Sequence, residues 1–389
     1  MSDPKSNKNE TPLESRLKRL IASAGPISLA TYMTHCLTDP DHGYYTSRTS
    51  IGAKGDFITA PEVSQLFGEL IGIWLLAVWR QAGRPTPFHL VEIGPGRGTL
   101  MRDMVRAIAS APEASQALHI HLVDISTSLK NQQALALSDT TAPIDWHETI
   151  QSLPNAPLFI VANEFFDCLP IHQWVMHSGK WYERVIGLDQ DGQLAFGLGP
   201  VRALTTPLAN PHTNQLADPT ISNTIPEGAI WEQSPAAEAI MSDLAQTLTL
   251  QGGAGLFIDY GYTDFEYGDT FQAMRHHAFA DPLALPGKQD LTAHVNFAAL
   301  ASTALHETQN NANNNHALTV PEPVDQGTFL LALGLLERAG QLGAGKSLAA
   351  QESLRDAVER LAAPNQMGNL FKILAIVPAD SQIPPFSNS

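Results

Sequence analysis

The segment Val91-Glu92-Ile93-Gly94-Pro95-Gly96-Arg97-Gly98-Thr99 decides which fold this chain is expected to adopt. The apolar run His89–Ile93 leads into it and predicts a β-strand, and the pattern from Leu100 to about Ala109 predicts a helix after it. Alternate glycines let the backbone turn tightly and approach a ligand closely, because a Cβ atom would clash. The spacing differs from the dinucleotide fingerprint G-x-G-x-x-G, since only Arg97 separates Gly96 from Gly98. Taken alone, the loop is also compatible with an ordinary tight strand-to-helix turn.

The elements around this loop alternate between strand and helix. The pattern predicts strands over His119–Val123, Ile144–His147 and Leu158–Ala162, a helix over Ser126–Leu137, and later a helix over Ser234–Leu250 and strands over Leu256–Tyr260 and Leu370–Val377. Such alternation predicts a parallel sheet with helices on both faces, which is an α/β fold of the Rossmann-like kind. Beyond Pro170, short strands with turn residues between them predict an inserted antiparallel β segment.

These elements divide the chain into six consecutive segments. They are a disordered tail over 1–12, an N-terminal helical lid segment over 13–86, a Rossmann-like core over 87–170, a β-rich insertion over 171–230, the rest of the core with C-terminal elements over 231–378, and a tail over 379–389. In the lid segment, Thr59 with Glu62 three residues later predicts a capping box that opens a long apolar helix through Ala82. Flexible or loop structure is expected over Ser47–Asp56, Thr205–Glu227 and Asn310–Asn315.

Composition and charge narrow the class of protein. The chain has 389 residues and a formal net charge of −16, which disfavours nucleic-acid binding and suits a basic protein partner. Its two cysteines, Cys36 and Cys168, share no motif, so we expect no disulfide framework and a reducing compartment. The most apolar run, Leu70–Trp79, is too short to span a bilayer, and the N-terminus lacks a signal-peptide core. We therefore expect a bacterial cytoplasmic protein with no integral membrane segment.

An acidic residue before G-x-G-x-G is typical of class I methyltransferases, whose cofactor is S-adenosyl-L-methionine. The expected cofactor loop, close to the amino-acid end of that molecule, consists of Glu92, Gly94, Pro95, Gly96 and Gly98. Asp124 ends the second strand, where a carboxylate can accept hydrogen bonds from both ribose hydroxyls. The alternative role for Asp124 is to cap a helix that begins near Ser126. Trp146 and His147 are candidates for packing on adenine, and a buried core tryptophan is the alternative.

Past the fourth strand the chain reads Ala162-Asn163-Glu164-Phe165-Phe166-Asp167, at the edge where ligands bind to open α/β sheets. Methyl transfer depends on positioning and electrostatics, and an arginine acceptor needs a carboxylate that orients its guanidinium. Glu164 and Asp167 are the candidate catalytic carboxylates, and Asn163 is a candidate to accept a hydrogen bond from an amino group. Phe165 or Phe166 is a candidate for contact with the sulfonium. Alternatively, both aromatic residues are core, and Asn163 and Asp167 only satisfy turn backbone.

One more acidic residue, Asp259, is expected at this edge of the sheet, and the histidines do not predict a metal site. Asp259 lies near the end of the predicted strand Leu256–Tyr260 and borders the same cleft, either as a catalytic group or as an acid that holds a turn. No metal is expected, because His276-His277 and His294 do not match a ligand spacing such as H-E-x-x-H.

Several long motifs, in a fixed order from about Leu13 to Val377, carry a family resemblance. They include Asp41-His42-Gly43-Tyr44-Tyr45, Gly55-Asp56-Phe57-Ile58-Thr59-Ala60-Pro61-Glu62-Val63-Ser64-Gln65, the glycine loop, Asn163-Glu164-Phe165-Phe166-Asp167-Cys168-Leu169-Pro170-Ile171, Gly268-Asp269-Thr270, Asp290-Leu291-Thr292-Ala293-His294-Val295 and Met367-Gly368. With these motifs the chain resembles the MidA-like family, which includes the protein-arginine methyltransferase that acts in mitochondrial complex I assembly. The resemblance implies a class I methyltransferase fold, cofactor contacts at the glycine loop, and an arginine on a complex I subunit as the acceptor.

The resemblance also implies that the segment around Asp56–Gln65 folds over the cofactor. The chain departs from the family pattern at Ala60, where serine is usual, and over Leu305–Pro323, which is longer and Asn-rich. Two rival hypotheses remain beside arginine methylation. One is a non-catalytic assembly chaperone that binds S-adenosylmethionine only for stability, and the other is a methyltransferase acting on a small molecule. The protein is expected to be either a monomer or a homodimer.

Overall fold

The computed structural model of the protein describes residues 10–47, 59–126, 128–199, 225–264, 267–310 and 316–386. The helices in these ranges are α1 Pro12–Ala24, α2 Leu29–Thr38, α3 Tyr44–Ser47, α4 Ala60–Val63, α5 Gln65–Gln81, α6 Thr99–Ile108, α7 Pro112–Ala117, α8 Lys130–Ala136, α9 Pro235–Gln251, α10 Phe297–Asn310, α11 Gln326–Ala332, α12 Leu335–Gly343, α13 Leu348–Ala362 and α14 Met367–Leu370. The strands are β1 Ile27–Ser28, β2 Phe88–Ile93, β3 Leu118–Val123, β4 Ile144–His147, β5 Leu158–Asn163, β6 His172–His177, β7 Lys180–Leu188, β8 Leu194–Leu198, β9 Ile230–Gln233, β10 Gly253–Tyr262, β11 Gln272–Arg275, β12 Ala278–Ala280, β13 Asp290–Thr292, β14 Val295–Asn296, β15 Leu318–Thr319, β16 Val324–Asp325 and β17 Phe371–Pro378.

The chain divides into two compact units, and each unit combines three stretches of sequence. The smaller unit consists of Met1–Arg48, Cys168–Ala237 and Asp264–His294, and the larger unit consists of Thr49–Asp167, Glu238–Thr263 and Val295–Ser389. The division into six consecutive segments, which was predicted from the sequence, stays a prediction.

The smaller unit carries the antiparallel β segment expected beyond Pro170. Its main sheet has the order β1-β7-β6-β9 with β8 on β7, and all these pairs are antiparallel. A separate three-stranded sheet has the order β12-β11-β13. Helix α1 buries Leu13, Leu17 and Ile21 on one face, as their helical spacing predicts. The prediction of an inserted antiparallel segment is confirmed.

The larger unit is built on a mostly parallel sheet with the order β15-β17-β10-β5-β2-β3-β4. Strand β2 pairs in parallel with β3 and β5, β5 pairs in parallel with β10, and β17 runs antiparallel to β10. Every residue of β2 and β5 is buried, because helices cover both faces of a parallel sheet. The predicted α/β fold is confirmed, and the first four predicted strands agree with β2, β3, β4 and β5 to within one residue.

Helices α5 and α6 lie close together because small residues separate their backbones. A Cβ atom at Gly68 of α5 would lie 2.6 Å from the Cβ of Asp103, and one at Gly72 would lie 2.7 Å from the carbonyl oxygen of Met104. Neither contact leaves room for a methyl group. The two glycines therefore set the spacing between α5 and the helix that follows the glycine loop.

A buried carboxylate links three helices of the larger unit. Glu69 of α5 is only 1% exposed. Its Oε1 accepts hydrogen bonds from Gln65 Nε2 and Arg106 Nε, both at 3.0 Å, and its Oε2 accepts one from Arg338 Nε at 2.8 Å. Arg106 belongs to α6 and Arg338 to α12, so this one side chain joins α5 to both helices.

The predicted capping box and the continuous helix from Thr59 to Ala82 are wrong. Ser64 is extended, with φ −163° and ψ 143°, and it separates α4 from α5, where its Oγ accepts a hydrogen bond from Leu66 N at 3.3 Å. Thr59 makes no side-chain cap. Glu62 instead accepts a hydrogen bond from Thr99 Oγ1 at 2.7 Å. A partner 37 residues away along the chain therefore takes the carboxylate that local spacing assigns to the cap.

Some predictions fall outside the described ranges. They are the first nine residues of the N-terminal tail, the stretch Ser47–Asp56 apart from Ser47, most of Thr205–Glu227, and Asn310–Asn315 apart from Asn310. The segment 379–389, predicted as a tail, contributes Ile383 and Phe386 to the hydrophobic core of the larger unit. Over the described residues, no helix combines the length and the apolar character needed to cross a bilayer.

We expect Glu69→Gln to lower the free energy of unfolding by about 1–3 kcal/mol, because two arginines lose a buried carboxylate while remaining half exposed. Denaturant unfolding followed by circular dichroism measures this change. Glu113→Gln is the matched control, since Glu113 pairs with Arg80 at the surface, and it should leave the unfolding curve unchanged. Equal effects of the two substitutions would contradict the role assigned to Glu69.

Candidate active site

The glycine loop leaves β2 through three residues in left-handed backbone conformations. The φ angles of Gly94, Gly96 and Gly98 are 67°, 50° and 80°. Gly94 N donates to the carbonyl oxygen of Val123 at 3.0 Å, which joins the ends of β2 and β3, and Gly98 N donates to the carbonyl oxygen of Pro95 at 2.7 Å. These bonds fix the loop as it enters α6 at Thr99.

The two sides of this loop differ in the space they leave. A Cβ atom at Gly98 would lie 3.2 Å from the Cα of Gln133 in α8, so this side is closed by protein. A Cβ atom at Gly96 would meet no heavy atom of the described structure within 4 Å. The half-buried backbone of Gly96 therefore faces open space that a ligand can enter.

Glu92, the last acidic residue before the loop, is a buried carboxylate with an unused oxygen. It is 3% exposed, and among the described residues its Oε2 has no hydrogen-bond partner. Burial raises the pKa of Glu92 well above its ordinary value of 4.5, a hydrogen bond from the backbone of Met101 opposes the rise, and the charge of Asp124 adds to it. A cationic group brought to this oxygen would satisfy it and favour the charged form.

Asp124 follows β3 and is held by both of its oxygens. Its Oδ1 accepts from Ser126 N at 2.7 Å, and its Oδ2 accepts from Gln133 Nε2 at 2.8 Å. Burial raises the pKa of Asp124, and these two hydrogen bonds oppose the rise. Helix α8 begins only at Lys130 with no side-chain cap, so the predicted helix start near Ser126 is wrong. The carboxylate instead closes a turn before the helix, which leaves its predicted contact with ribose untested.

Gln133 is a site residue that the sequence reasoning missed. It is fully buried in α8. Its Nε2 also donates to the carbonyl oxygen of Gly96 at 2.9 Å, and its Oε1 accepts from Trp146 Nε1 at 3.0 Å. Gln133 thus connects the glycine loop, Asp124 and Trp146. The sequence offers one signal for this role: Gln133 is polar at a position of α8 where helical spacing predicts a buried, apolar residue.

Trp146 and His147 point to different surroundings, although both were candidates for contact with adenine. Trp146 packs partly buried against the hydrophobic core and bonds to Gln133 on the side of the glycine loop. The ring of His147 bonds to His121 at 3.0 Å and to Ser152 at 3.0 Å. Of the two residues, only Trp146 is therefore joined to the candidate cofactor site by a side-chain hydrogen bond.

The turn after β5 contains the candidate catalytic residues. Glu164 has a left-handed backbone with φ 51°, which is unusual for a residue with a side chain and often found at functional sites. Its Oε1 accepts from Ala60 N at 3.2 Å and from Asn163 Nδ2 at 3.1 Å. Asn163 is 9% exposed, and its Oδ1 has no hydrogen-bond partner among the described residues. The backbone of the lid segment therefore contacts Glu164 directly at Ala60.

Asp259, near the carboxyl end of β10, holds this turn in place. Its Oδ2 accepts from the backbone N–H groups of Phe165, Phe166 and Asp167 at 3.1, 2.9 and 3.1 Å. Burial raises the pKa of Asp259, as do the charges of Asp167 and Glu164, and the backbone donors oppose the rise. Of the two roles left open from the sequence, the structure supports an acid that organises the turn.

The two phenylalanines of the turn have different surroundings. Phe166 is 3% exposed and packs edge-on against Phe257, with ring centroids 6.0 Å apart, so it belongs to the core. Phe165 is half-buried, and its Cδ2 lies 3.3 Å from the position of a Cβ atom at Gly94. Phe165 therefore connects the turn to the glycine loop. Asp167 is 7% exposed, and Cys168, the next residue, belongs to the smaller unit.

Together these residues define the class of site. A glycine loop with open space at Gly96, an unsatisfied buried oxygen on Glu92 and a carboxylate at the end of the neighbouring strand fit a nucleoside cofactor that carries a cationic amino-acid group. The fold and the site thus define a Rossmann-like, nucleoside-cofactor protein. The individual roles of Glu92, Gly94, Pro95, Gly96, Gly98 and Asp124 stay predictions.

Relatives match the chain over most of its length. Residues 70–314 match the family described as "Putative S-adenosyl-L-methionine-dependent methyltransferase". The Drosophila melanogaster protein named protein arginine methyltransferase NDUFAF7 homolog, mitochondrial, is 36% identical over an alignment of 395 positions that covers 94% of this chain and 85% of the relative. The human protein arginine methyltransferase NDUFAF7, mitochondrial, is 34% identical over an alignment of 391 positions that covers 95% of this chain and 84% of the relative.

A solved structure with the same fold contains the demethylated cofactor. It is a protein from Burkholderia thailandensis described as a "likely methyl transferase", bound to S-adenosyl-homocysteine. It is 26% identical, it superposes with a TM-score of 0.76, and the match covers 94% of this chain and 91% of that chain. The chain belongs to the S-adenosyl-L-methionine-dependent methyltransferase family, and S-adenosyl-L-methionine is its cofactor.

The raised pKa of Glu92 predicts a pH-dependent stability. The folded chain keeps a proton that the unfolded chain releases above about pH 4.5, so this stabilisation is present below that pH and is lost as pH rises through the raised pKa. In Glu92→Gln the side chain cannot titrate. We therefore expect its melting temperature, relative to that of the native chain, to increase from pH 5 to pH 8 in the absence of cofactor.

Differential scanning calorimetry at several pH values measures this difference. Glu352→Gln, an exposed substitution on α13, is the control and should follow the native chain at every pH. Parallel curves for Glu92→Gln and the native chain would show that Glu92 has no raised pKa.

Proposed function

We propose that the protein is a protein-arginine N-methyltransferase that acts on a subunit of respiratory complex I and supports the assembly of that complex. The observation that carries the proposal is the half-buried carboxylate of Glu164, on a turn that touches the glycine loop through Phe165. Identities of 34–36% to proteins named as arginine methyltransferases, over nearly the whole chain, support the substrate class.

In this proposal the cofactor is held by the residues of the glycine loop and the two acids beside it. Glu92 Oε2 accepts from the amino group of the cofactor, the backbone of Gly94, Pro95, Gly96 and Gly98 lies against its amino-acid part, and Asp124 accepts from the ribose hydroxyls. S-adenosylmethionine supplies an electrophilic methyl group on a positively charged sulfur. Gln133 positions this site, because it fixes both Asp124 and the carbonyl group of Gly96.

The turn after β5 would receive the guanidinium group. Glu164 accepts forked hydrogen bonds from it and fixes the attacking nitrogen in line with the methyl group, while the free Oδ1 of Asn163 accepts a further N–H. The pKa of a free guanidinium is above about 12, so a proton has to leave during or after transfer, and the charge of Glu164 stabilises the cation meanwhile. Asp167, beside Glu164 on the turn, adds a second negative charge near the acceptor.

Two alternative functions would require different subsets of these residues or a different acceptor. A non-catalytic assembly chaperone needs only the cofactor-binding residues, and a small-molecule methyltransferase needs no macromolecular acceptor. The excess of acidic residues, with a net charge of −16, favours a basic protein segment as the acceptor over a nucleic acid. We propose the bacterial cytoplasm as the compartment, which two free cysteines support. The homodimer stays a prediction.

Glu164→Gln tests the catalytic role. The glutamine Oε1 can still accept from Ala60 N and Asn163 Nδ2, so we expect the affinity for S-adenosylmethionine to change less than about twofold. Methyl transfer should fall about 100-fold, because the charge that orients the guanidinium is lost. Transfer of labelled methyl groups to complex I subunits from a deletion strain measures the rate. Glu359→Gln, exposed on α13, is the control, and full activity of Glu164→Gln would end the assignment.

Mass spectrometry of complex I subunits decides between the three functions. We expect one arginine methylation to disappear in the deletion strain and to return with the native gene but not with Glu164→Gln. An unchanged methylation pattern with impaired complex I would favour the chaperone. An unchanged pattern with intact complex I would favour the small-molecule enzyme.

A further inference from the structure

Four histidines lie on one face of three adjacent parallel strands in the larger unit. His89 of β2 is the register partner of His119 of β3, and His121 follows two residues later on the same strand. His121 is in turn the register partner of Asp145 in β4, and His147 follows two residues after that aspartate. Register partners and residues two apart share a face of a sheet, so these side chains form one continuous row.

The imidazole nitrogens of this row converge. His89 Nδ1 and His121 Nε2 are 2.9 Å apart, and one ring nitrogen from each of His89, His119 and His121 lies within 4.8 Å of the other two. The ring centroids of His119 and His121 are 4.5 Å apart. Two nitrogens bound to one tetrahedral metal ion at about 2.0–2.1 Å are roughly 3.4 Å apart. A shift of about half an ångström would therefore bring His89 and His121 to that spacing.

Two of these rings are buried in the sheet. His89 and His121 are 7% and 2% exposed. Their ring nitrogens at 2.9 Å form a hydrogen bond, so a metal ion bound by both rings would displace the proton between them. A chain of hydrogen-bonded rings without a metal is the alternative interpretation of the same geometry.

The open end of the row gives access from solvent. The side chain of His119 is 26% exposed, and that of Asp145 is 58% exposed. His119 Nε2 lies 2.8 Å from Asp145 Oδ2. Carboxylates bonded to the second nitrogen of a ligand histidine fix its ring orientation in metal sites. Asp145 is thus in position either to orient His119 or to serve as a fourth ligand.

We propose that His89, His119 and His121 form a binding site for a divalent late transition metal ion, with Zn²⁺ as the natural occupant. Imidazole ligands select zinc, nickel, cobalt and copper over magnesium and calcium, which prefer oxygen. The site joins the first half of β2 to that of β3, and His89 lies five residues before Gly94, which is roughly 16 Å along the strand. The metal therefore stabilises the sheet on which the glycine loop is built and takes no part in methyl transfer.

This site was missed from the sequence, because its ligands come from two strands and 32 residues separate His89 from His121. His119 and His121 are only two residues apart, but that spacing alone does not reveal a third ligand. Only the in-register pairing of β2 with β3 brings His89 to them.

Titration of the full-length chain, free of any affinity tag and stripped with a chelator, tests the proposal. Co²⁺ is the spectroscopic probe, Zn²⁺ is the competitor, and Mg²⁺ is the negative control. We expect ligand-field bands at one Co²⁺ per chain, displacement by stoichiometric Zn²⁺, and a higher melting temperature with Zn²⁺. Absence of stoichiometric binding, or equal effects of Mg²⁺ and Zn²⁺, would overturn the site.

Three variants locate the ion. His119→Gln, at a partly exposed position, should weaken Zn²⁺ binding at least about 100-fold while titration with S-adenosyl-homocysteine is unchanged. His89→Gln should weaken it similarly. His277→Asn, which removes an exposed histidine of the smaller unit, is the matched control and should bind Zn²⁺ like the native chain. Native affinity in His119→Gln would overturn the proposal, whatever the stability of the other variants.

Discussion

Parallel pairing brings the carboxyl ends of β2, β3, β5 and β10 to one edge of the sheet, and each of these ends carries an acidic side chain. The acids are Glu92, Asp124, Glu164 and Asp259. Negative charges gathered in this way repel one another and lose hydration, which raises the pKa of Glu92, Asp124 and Asp259, chiefly through burial. Hydrogen bonds from backbone and side-chain donors offset part of this cost at Asp124 and Asp259. Glu92 Oε2 has no hydrogen-bond partner among the described residues, and it marks where a cationic group would be stabilised.

The hydrogen bonds at this edge assign different tasks to residues of the same type. One oxygen of Asp259 accepts hydrogen bonds from three backbone N–H groups and so fixes the turn that carries Glu164. Asp124 is shared between Gln133 and its own turn. Glu164 accepts hydrogen bonds from the side chain of Asn163 and from the backbone of Ala60 at the start of α4, so it joins the turn to the helix that precedes α5.

Much of the fold could be predicted because the buried strands are continuous apolar runs bounded by turn residues. The position of the glycine loop could also be predicted, but taken alone its glycines fitted an ordinary tight turn as well as a cofactor site. Features that depend on distant partners were missed. Glu62 bonds to Thr99 and so forms no capping box, Gln133 acquires its role from three separate elements, and the histidine row exists only through strand register. The acid Asp259 was found, but its role depended on backbone donors 92 to 94 residues away.

The central claim is that a backbone stretch without side chains, open at Gly96, receives the cofactor. Isothermal titration with S-adenosyl-homocysteine tests it most directly on the native chain, on Gly96→Val and on Gly179→Val. Gly179 is also left-handed and also faces open space, but it lies in the smaller unit, so the two substitutions impose the same backbone strain. The account predicts that only Gly96→Val loses binding. Equal affinity in all three proteins, or no binding by the native chain, would contradict it.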